Sequence, residues 1–207
     1  MKRTRMTERF ILGALLLGTG LIGTAGAAEA TFRASDDNLM LPDAVGWSRH
    51  NWGVYPQLAV GLNDTKAPYR SLLRFDLSSL GAETSITSAT LSLTVTAVNK
   101  LSQQRGNFDL RLFLLAKSNK DWVQGTNLEH TATAGEPCWR YRQFDTARWA
   151  GEPGIGNSTA SAGIAALLGT VQIDVTNTVI GTVYTFTVDS PEGVNALTDW
   201  AAGGDNA

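Results

Sequence analysis

One cysteine, Cys138, in 207 residues leaves no partner for an internal disulfide and excludes a zinc cluster built on cysteine pairs. Beside Pro137 and Trp139, it is expected to be buried and inert. Histidine is almost as scarce. His50 and His130 lie far apart, and neither has a second histidine two to four residues on, so no metal-binding pair is suggested. The nucleophile-elbow, zinc-protease, P-loop and dinucleotide-binding signatures are all missing. Residues 151–156 are rich in glycine but lack the Lys-Ser/Thr of a phosphate cradle, so they read as a turn. Beyond the N-terminus no run is long and apolar enough to span a bilayer.

The N-terminus has the layout of a secretory signal peptide over residues 1–27. Lys2, Arg3, Arg5 and Arg9 form a basic start, Phe10–Ile22 is apolar, and Ala25-Gly26-Ala27 fits a small-x-small cleavage site. Cleavage after Ala30 fits nearly as well. A membrane anchor is the competing reading, but the apolar run is short of the ~20 residues a span requires. The expected product is secreted or held at the cell surface. Loss of residues 1–27 removes four basic residues and one acidic residue, leaving 13 against 18. A chain with this acidic balance is a poor match for nucleic acid, whose phosphates demand a basic patch.

What is present is a set of short alternating runs. Ser71, Leu73, Phe75 and Leu77 alternate with Arg70, Arg74 and Asp76, and Ala89, Leu91, Leu93 and Val95 alternate with Thr90, Ser92, Thr94 and Thr96. A period of two with β-branched residues on one face predicts half-buried strands. Further strands are predicted at Thr31–Ser35, Gln57–Gly61, Phe108–Ala116, Val171–Val175 and Tyr184–Val188, with a turn at Asp36-Asp37-Asn38. Lys117–Gly169 reads as a long irregular segment, a length that often carries function. Its end, Ser161–Leu168, reads as a short helix or a loop. Ser190 as N-cap, Pro191 at the first position and Gly203 beyond the end predict a C-terminal helix. Val194, Leu197, Trp200 and Ala201 would share its apolar face. Short strands with little helix give an all-β class: one jelly-roll-like β-sandwich over residues 28–207 with one short C-terminal helix.

Aromatic residues carry the strongest functional signal. Trp47, Trp52, Tyr55 and Tyr69 lie in or beside the early loops, and Trp122, Trp139, Tyr141 and Trp149 in the long segment. Flat rings stack on the C–H faces of sugars, while Asn, Asp, Arg and Gln bond the hydroxyls. Packing onto the sandwich is the alternative use of such rings, and for Trp122 and Trp149 it is the expected one. Asp36, Asp37 and Asp205, with Asn38, are oxygen donors near opposite chain ends and form a candidate structural calcium set, although turn chemistry explains them equally well. Asp76, Asp109 and Glu136 are the carboxylates available for a glycosidase pair, but nothing in the sequence couples them.

The run R-S-L-L-R-F-D-L-S-S-L followed by I-T-S-A-T-L-S-L resembles the core signature of the DNRLRE-domain family, also classed as carbohydrate-binding modules of family 96. Asn51-Trp52-Gly53, Leu58–Gly61, Asp121-Trp122 with Gly125, Trp139 and Trp149, and Ile173–Thr176 are similar to its other motifs. The resemblance implies an extracellular jelly-roll module, non-catalytic, that binds a polysaccharide, including acidic, alginate-like ones. Trp47, Arg49, Trp52, Tyr55, Arg70 and Arg74 are the candidate ligand-binding residues, the arginines facing uronate carboxylates. The alternative is a structural or adhesive surface domain in which every tryptophan is core. The family pattern also implies a closing apolar strand after the helix. The sequence reads as truncated before that strand, with an open edge and marginal stability as the expected consequence.

Overall fold

The strand with the clearest alternation, β7 (Ser85–Val95), stands inside the largest sheet. The structure is a computed structural model and describes residues 6–15, 28–43, 46–62, 67–98, 106–151 and 154–204. Ala89, Leu91, Leu93 and Val95 are buried, and the polar residues between them are not. Ile86 is also buried, out of phase with Ala89. A register shift at this end of the strand absorbs the extra residue.

Two strands flank β7, both antiparallel. On one side lies β13 (Val183–Val188); on the other lies β1 (Met6–Leu15), which pairs in turn with β2 (Ala28–Phe32). The segment expected to be a leader therefore stands between β7 and β2 in the unprocessed chain. The expected cleavage site at Ala25–Ala27 lies outside the described residues.

Smaller antiparallel units build the facing layer. β3 (Ala34–Met40) pairs with β6 (Pro68–Phe75), which also pairs with β5 (Gly61–Leu62). β8 (Phe108–Leu115) pairs with β12 (Ile164–Ile173). Four short strands lie in the loops: β4 (His50–Asn51) on β9 (His130–Thr131), and β10 (Tyr141–Gln143) on β11 (Ala147–Arg148). The main core joins Leu91, Leu93 and Val95 of β7 and Phe186 and Val188 of β13 to Phe75, Leu110 and Leu112 of the facing layer. This is an all-β sandwich with one short helix.

That helix, α1 (Pro191–Ala201), begins as its punctuation predicts. The Ser190 hydroxyl accepts from the Gly193 N–H at 3.2 Å, and Pro191 occupies the first turn. Leu197 and Ala201 enter the main core, with Trp200 half-buried against it. Such a cap is worth about 1 kcal/mol.

Three sequence expectations change. Asp36-Asp37-Asn38 is no turn but part of β3, held because Asp36 stands opposite Arg74 and Asn38 opposite Leu72. Ser161–Leu168 is neither helix nor loop over most of its length. From Ile164 it is strand, since Ile164–Ile173 finds the apolar edge of β8, and tertiary pairing overrides the helix propensity of alanine. Gln57–Gly61 forms ladder pairing only from Gly61 onward.

Candidate functional site

The long segment from Lys117 is fastened to the sandwich by one asparagine. Asn51 is fully buried. Its side-chain amide donates to the carbonyls of Gln124 at 3.1 Å and Pro137 at 3.0 Å, and its carbonyl oxygen accepts from the N–H groups of Gly53 at 3.0 Å and Asn127 at 3.2 Å. The Gln124 carbonyl also accepts from Asn38 at 2.6 Å. Gly53 is required here by space, because a Cβ would overlap the Gln124 carbonyl. The Asn-Trp-Gly motif is thus a crossing point of two loops, with Trp52 enclosed beneath it.

Glu136 closes the far side of the same segment. Its carboxylate accepts from the N–H groups of Thr126 at 2.6 Å and Thr133 at 2.8 Å, and from the Asn127 side chain. Burial pushes this carboxyl up, but those donors outweigh it and hold it below the ordinary glutamate value.

Two arginines of β6 complete the fastening. Arg70 lies 4.6 Å over the Trp139 ring and donates to the Gly154 carbonyl. Arg74 lies 4.5 Å over the Trp122 ring and donates to the carbonyls of Lys120 at 2.8 Å and Trp122 at 2.7 Å, with Asp36 at 3.6 Å. Both stand on one strand face, as their even spacing requires. Each guanidinium uses its donors and its flat face on the long segment.

Beside the Asn51 crossing, where β3 meets the loop after Trp52, lies a polar recess of about 340 Å³. Arg33 and Asp37 border it on one side, Tyr55 and Gln57 on another, and Gln124 reaches it from the long segment. Tyr55 is half-buried, its ring edge-on to Trp52 at 5.4 Å. Burial, with Asp36 adding repulsion, pushes the Asp37 carboxyl up to about 6. The recess therefore offers one aromatic ring, the Gln57 amide, one guanidinium and one carboxylate that changes charge near pH 6, while the Gln124 amide donates to the Gly53 carbonyl. This set suits a hydroxyl-rich ligand.

The expected binding residues divide. Tyr55 lines the recess. Trp52 does not, since it is 0% exposed and has no free face for a sugar. Trp47 is half-buried and tilted on Trp52 at 5.4 Å. Arg49 sits elsewhere, 3.4 Å from Asp145 and 4.9 Å over the Phe144 ring. Arg70 and Arg74 lie away from the recess and engage the long segment. Trp122 and Trp149 are buried, as packing onto the sandwich requires.

The candidate calcium donors Asp36, Asp37 and Asn38 all lie on β3. Asp36 and Asp37 are consecutive strand residues with opposite faces, and Asp36 is engaged by Arg74. Asp205 lies outside the described residues. Among the described residues no three of His, Cys, Asp and Glu gather as a metal site. The carboxylates considered for hydrolysis are also separately engaged. Asp76 accepts from the Ser78 N–H at 3.0 Å, Asp109 approaches Arg111 at 4.0 Å, and Glu136 holds its latch. His50 and His130 come onto neighbouring strands through β4 and β9.

Arg33, Gln57 and Gln124 carried no signal of their own in the sequence. The sequence offers Asp37 as a turn residue or a calcium donor. Only the fold brings these four residues around Tyr55, from parts of the chain up to 91 positions apart. No family model, curated protein or solved structure matches the chain.

Proposed function

We propose that this chain is an exported, non-catalytic carbohydrate-binding module of the kind the DNRLRE resemblance implies, and that its glycan sits in the recess at Tyr55. The observation that carries this reading is the convergence of Arg33, Asp37, Gln57 and Gln124 on a half-buried aromatic ring. An aromatic ring supplies apolar contact for a sugar face, and the amides and charged groups suit its hydroxyls. Among the described residues Asp37 is the one carboxylate bordering the recess, whereas hydrolysis by the usual route needs a pair across the bond. No helix among the described residues is long and apolar enough to cross a membrane.

The test is retention on a panel of neutral and acidic polysaccharides, alginate included. Tyr55→Ala and Gln57→Ala are expected to lower retention tenfold or more, and Arg49→Ala to leave it unchanged. Equal retention by Tyr55→Ala would move the site elsewhere.

A second reading, a structural or adhesive surface domain without a glycan ligand, is favoured by the tryptophans. Trp52, Trp122, Trp149 and Trp139 are 0, 1, 2 and 5% exposed, which withdraws them from stacking. A folded protein that no glycan retains would establish this reading over the first.

A further inference from the structure

The two units of the facing layer do not join. β6 pairs with β3 and β5, and β8 pairs with β12, but among the described residues no ladder links β6 to β8. A cavity of about 210 Å³ is bordered by both strands. It lies where the main core, through Leu91 and Leu197, fails to meet the second core, through Leu72 and Ile164. β6 lines it from Arg70 to Phe75, a length of about 16 Å at the rise of a strand. Leu112–Leu115 of β8 and Ala196 of α1 supply further walls. Folded interiors leave few voids larger than a water, and an apolar cavity of about 150 Å³ already takes up benzene. An apolar chain lying against such walls gains the dispersion contacts that a void denies them.

One wall carries charge. Among the described residues Arg70 is the one charged group lining the cavity, and it is half-buried. The Trp139 ring at 4.6 Å and the Gly154 carbonyl hold its guanidinium in place. Burial pushes its pKa down, and in such poorly hydrated surroundings its attraction for an anion is stronger than in water. Asn157, in the same loop as Gly154, is exposed and marks the mouth. Between those two loop residues Ile155 lines the cavity with a φ of 76°. A β-branched residue rarely takes this conformation, and strain of this kind gathers at ligand clamps.

We propose that this cavity binds a single-chain alkyl carboxylate, its chain lying along β6 between the two cores and its carboxylate on the Arg70 guanidinium. A straight chain of about ten carbons suits the ~16 Å that β6 provides. The guanidinium matches the planar carboxylate, and the leucines of β6 and β8 match the chain. The site is separate from the recess at Tyr55, since no described residue borders both, and it does not rest on the glycan reading.

The test titrates the full 207-residue chain with decanoate, decanol and acetate by calorimetry at neutral pH. Amide hydrogen exchange is followed over Arg70–Phe75 and Leu112–Leu115. Decanoate is expected to bind at least tenfold more tightly than decanol and to slow exchange in both segments, and acetate, which lacks the chain, is expected not to bind. Arg70→Gln should bring decanoate to the level of decanol and leave decanol unchanged. Ala196→Phe, which fills the cavity from α1, should weaken both at least tenfold, whereas Tyr55→Ala should weaken neither. Should Arg70→Gln fail to fold, the parent's preference for decanoate over decanol and the Ala196→Phe protein decide the matter. No binding of decanoate by the folded parent overturns the proposal. Equal binding of decanoate and decanol by the parent overturns it too, as does undiminished binding by a folded Ala196→Phe protein.

Discussion

Replacing Asn51 with alanine removes four hydrogen bonds at a point no water reaches. Of the four backbone groups, the Gln124 carbonyl keeps its bond from Asn38 at 2.6 Å. The Pro137 carbonyl and the N–H groups of Gly53 and Asn127 lose the Asn51 partner. Each buried polar group left unsatisfied costs about 1–3 kcal/mol, so the three together come to about 3–6 kcal/mol after some relaxation. That is a large part of the ~5–15 kcal/mol that holds a domain. At about 2–4 °C per kcal/mol for a chain of this size, the melting temperature should fall by about 6–24 °C. Thermal unfolding followed by circular dichroism measures it, with Arg49→Ala as the control. The Arg49–Asp145 pair is exposed on both sides, and such pairs contribute about 0–1 kcal/mol. An Asn51→Ala protein that melts within about 3 °C of the parent would refute the crossing as a fastening point.

Glu136→Gln should destabilise the protein at pH 7. The folded carboxyl is held below 4.5, so its stabilisation is present above that value and lost as pH falls through the folded pKa; the gap between variant and parent in denaturant titrations should therefore close on acidification. Asp37 has the opposite sign. With a folded pKa of about 6 against an ordinary 3.8, its ionisation opposes folding increasingly between those values and fully above about 6. Asp37→Asn should raise the melting temperature at pH 7.5 and make no difference at pH 3.5. Cys138 is fully buried and burial pushes its thiol up, so a thiol reagent should label it slowly in the folded protein and at once in denaturant. Fast labelling of the native chain would contradict the packing at Cys138.

The sandwich was legible where local pattern and tertiary pairing agree. The alternation of Ala89–Val95 and the Ser190-Pro191 start of the helix each specify one outcome, and the structure has both. The sequence was ambiguous where burial decides. Ala165 and Ala166 suit a helix as well as a strand, and only the edge of β8 selects the strand. The aromatic signal was real, but its meaning depended on which rings the long segment covers. Trp52 and Tyr55 are three residues apart in one loop, and only Tyr55 borders the recess. No periodicity separates them. The difference comes from Gly53, which lets the Gln124 backbone close over one side of that loop.

The arginines bear on which glycan the recess can hold. Arg70 and Arg74 share a face as their spacing requires, yet their donors go to loop carbonyls and their faces to Trp139 and Trp122. Among the described residues the cation left for an acidic ligand at the recess is Arg33, and Asp37 borders the same space. Above pH 6 the two charges oppose each other, so a uronate gains little net attraction. Below it Asp37 takes up a proton and the recess becomes net positive, while uronates stay ionised down to the ordinary carboxylate range. Alginate retention by the parent should therefore strengthen from pH 8 to pH 5, and retention of a neutral glycan should change little. Asp37→Asn should retain alginate at pH 8 as the parent does at pH 5. Affinity electrophoresis in alginate gels at both pH values measures this. A pH slope that survives in Asp37→Asn would mean that the acidic ligand is held somewhere other than beside Tyr55.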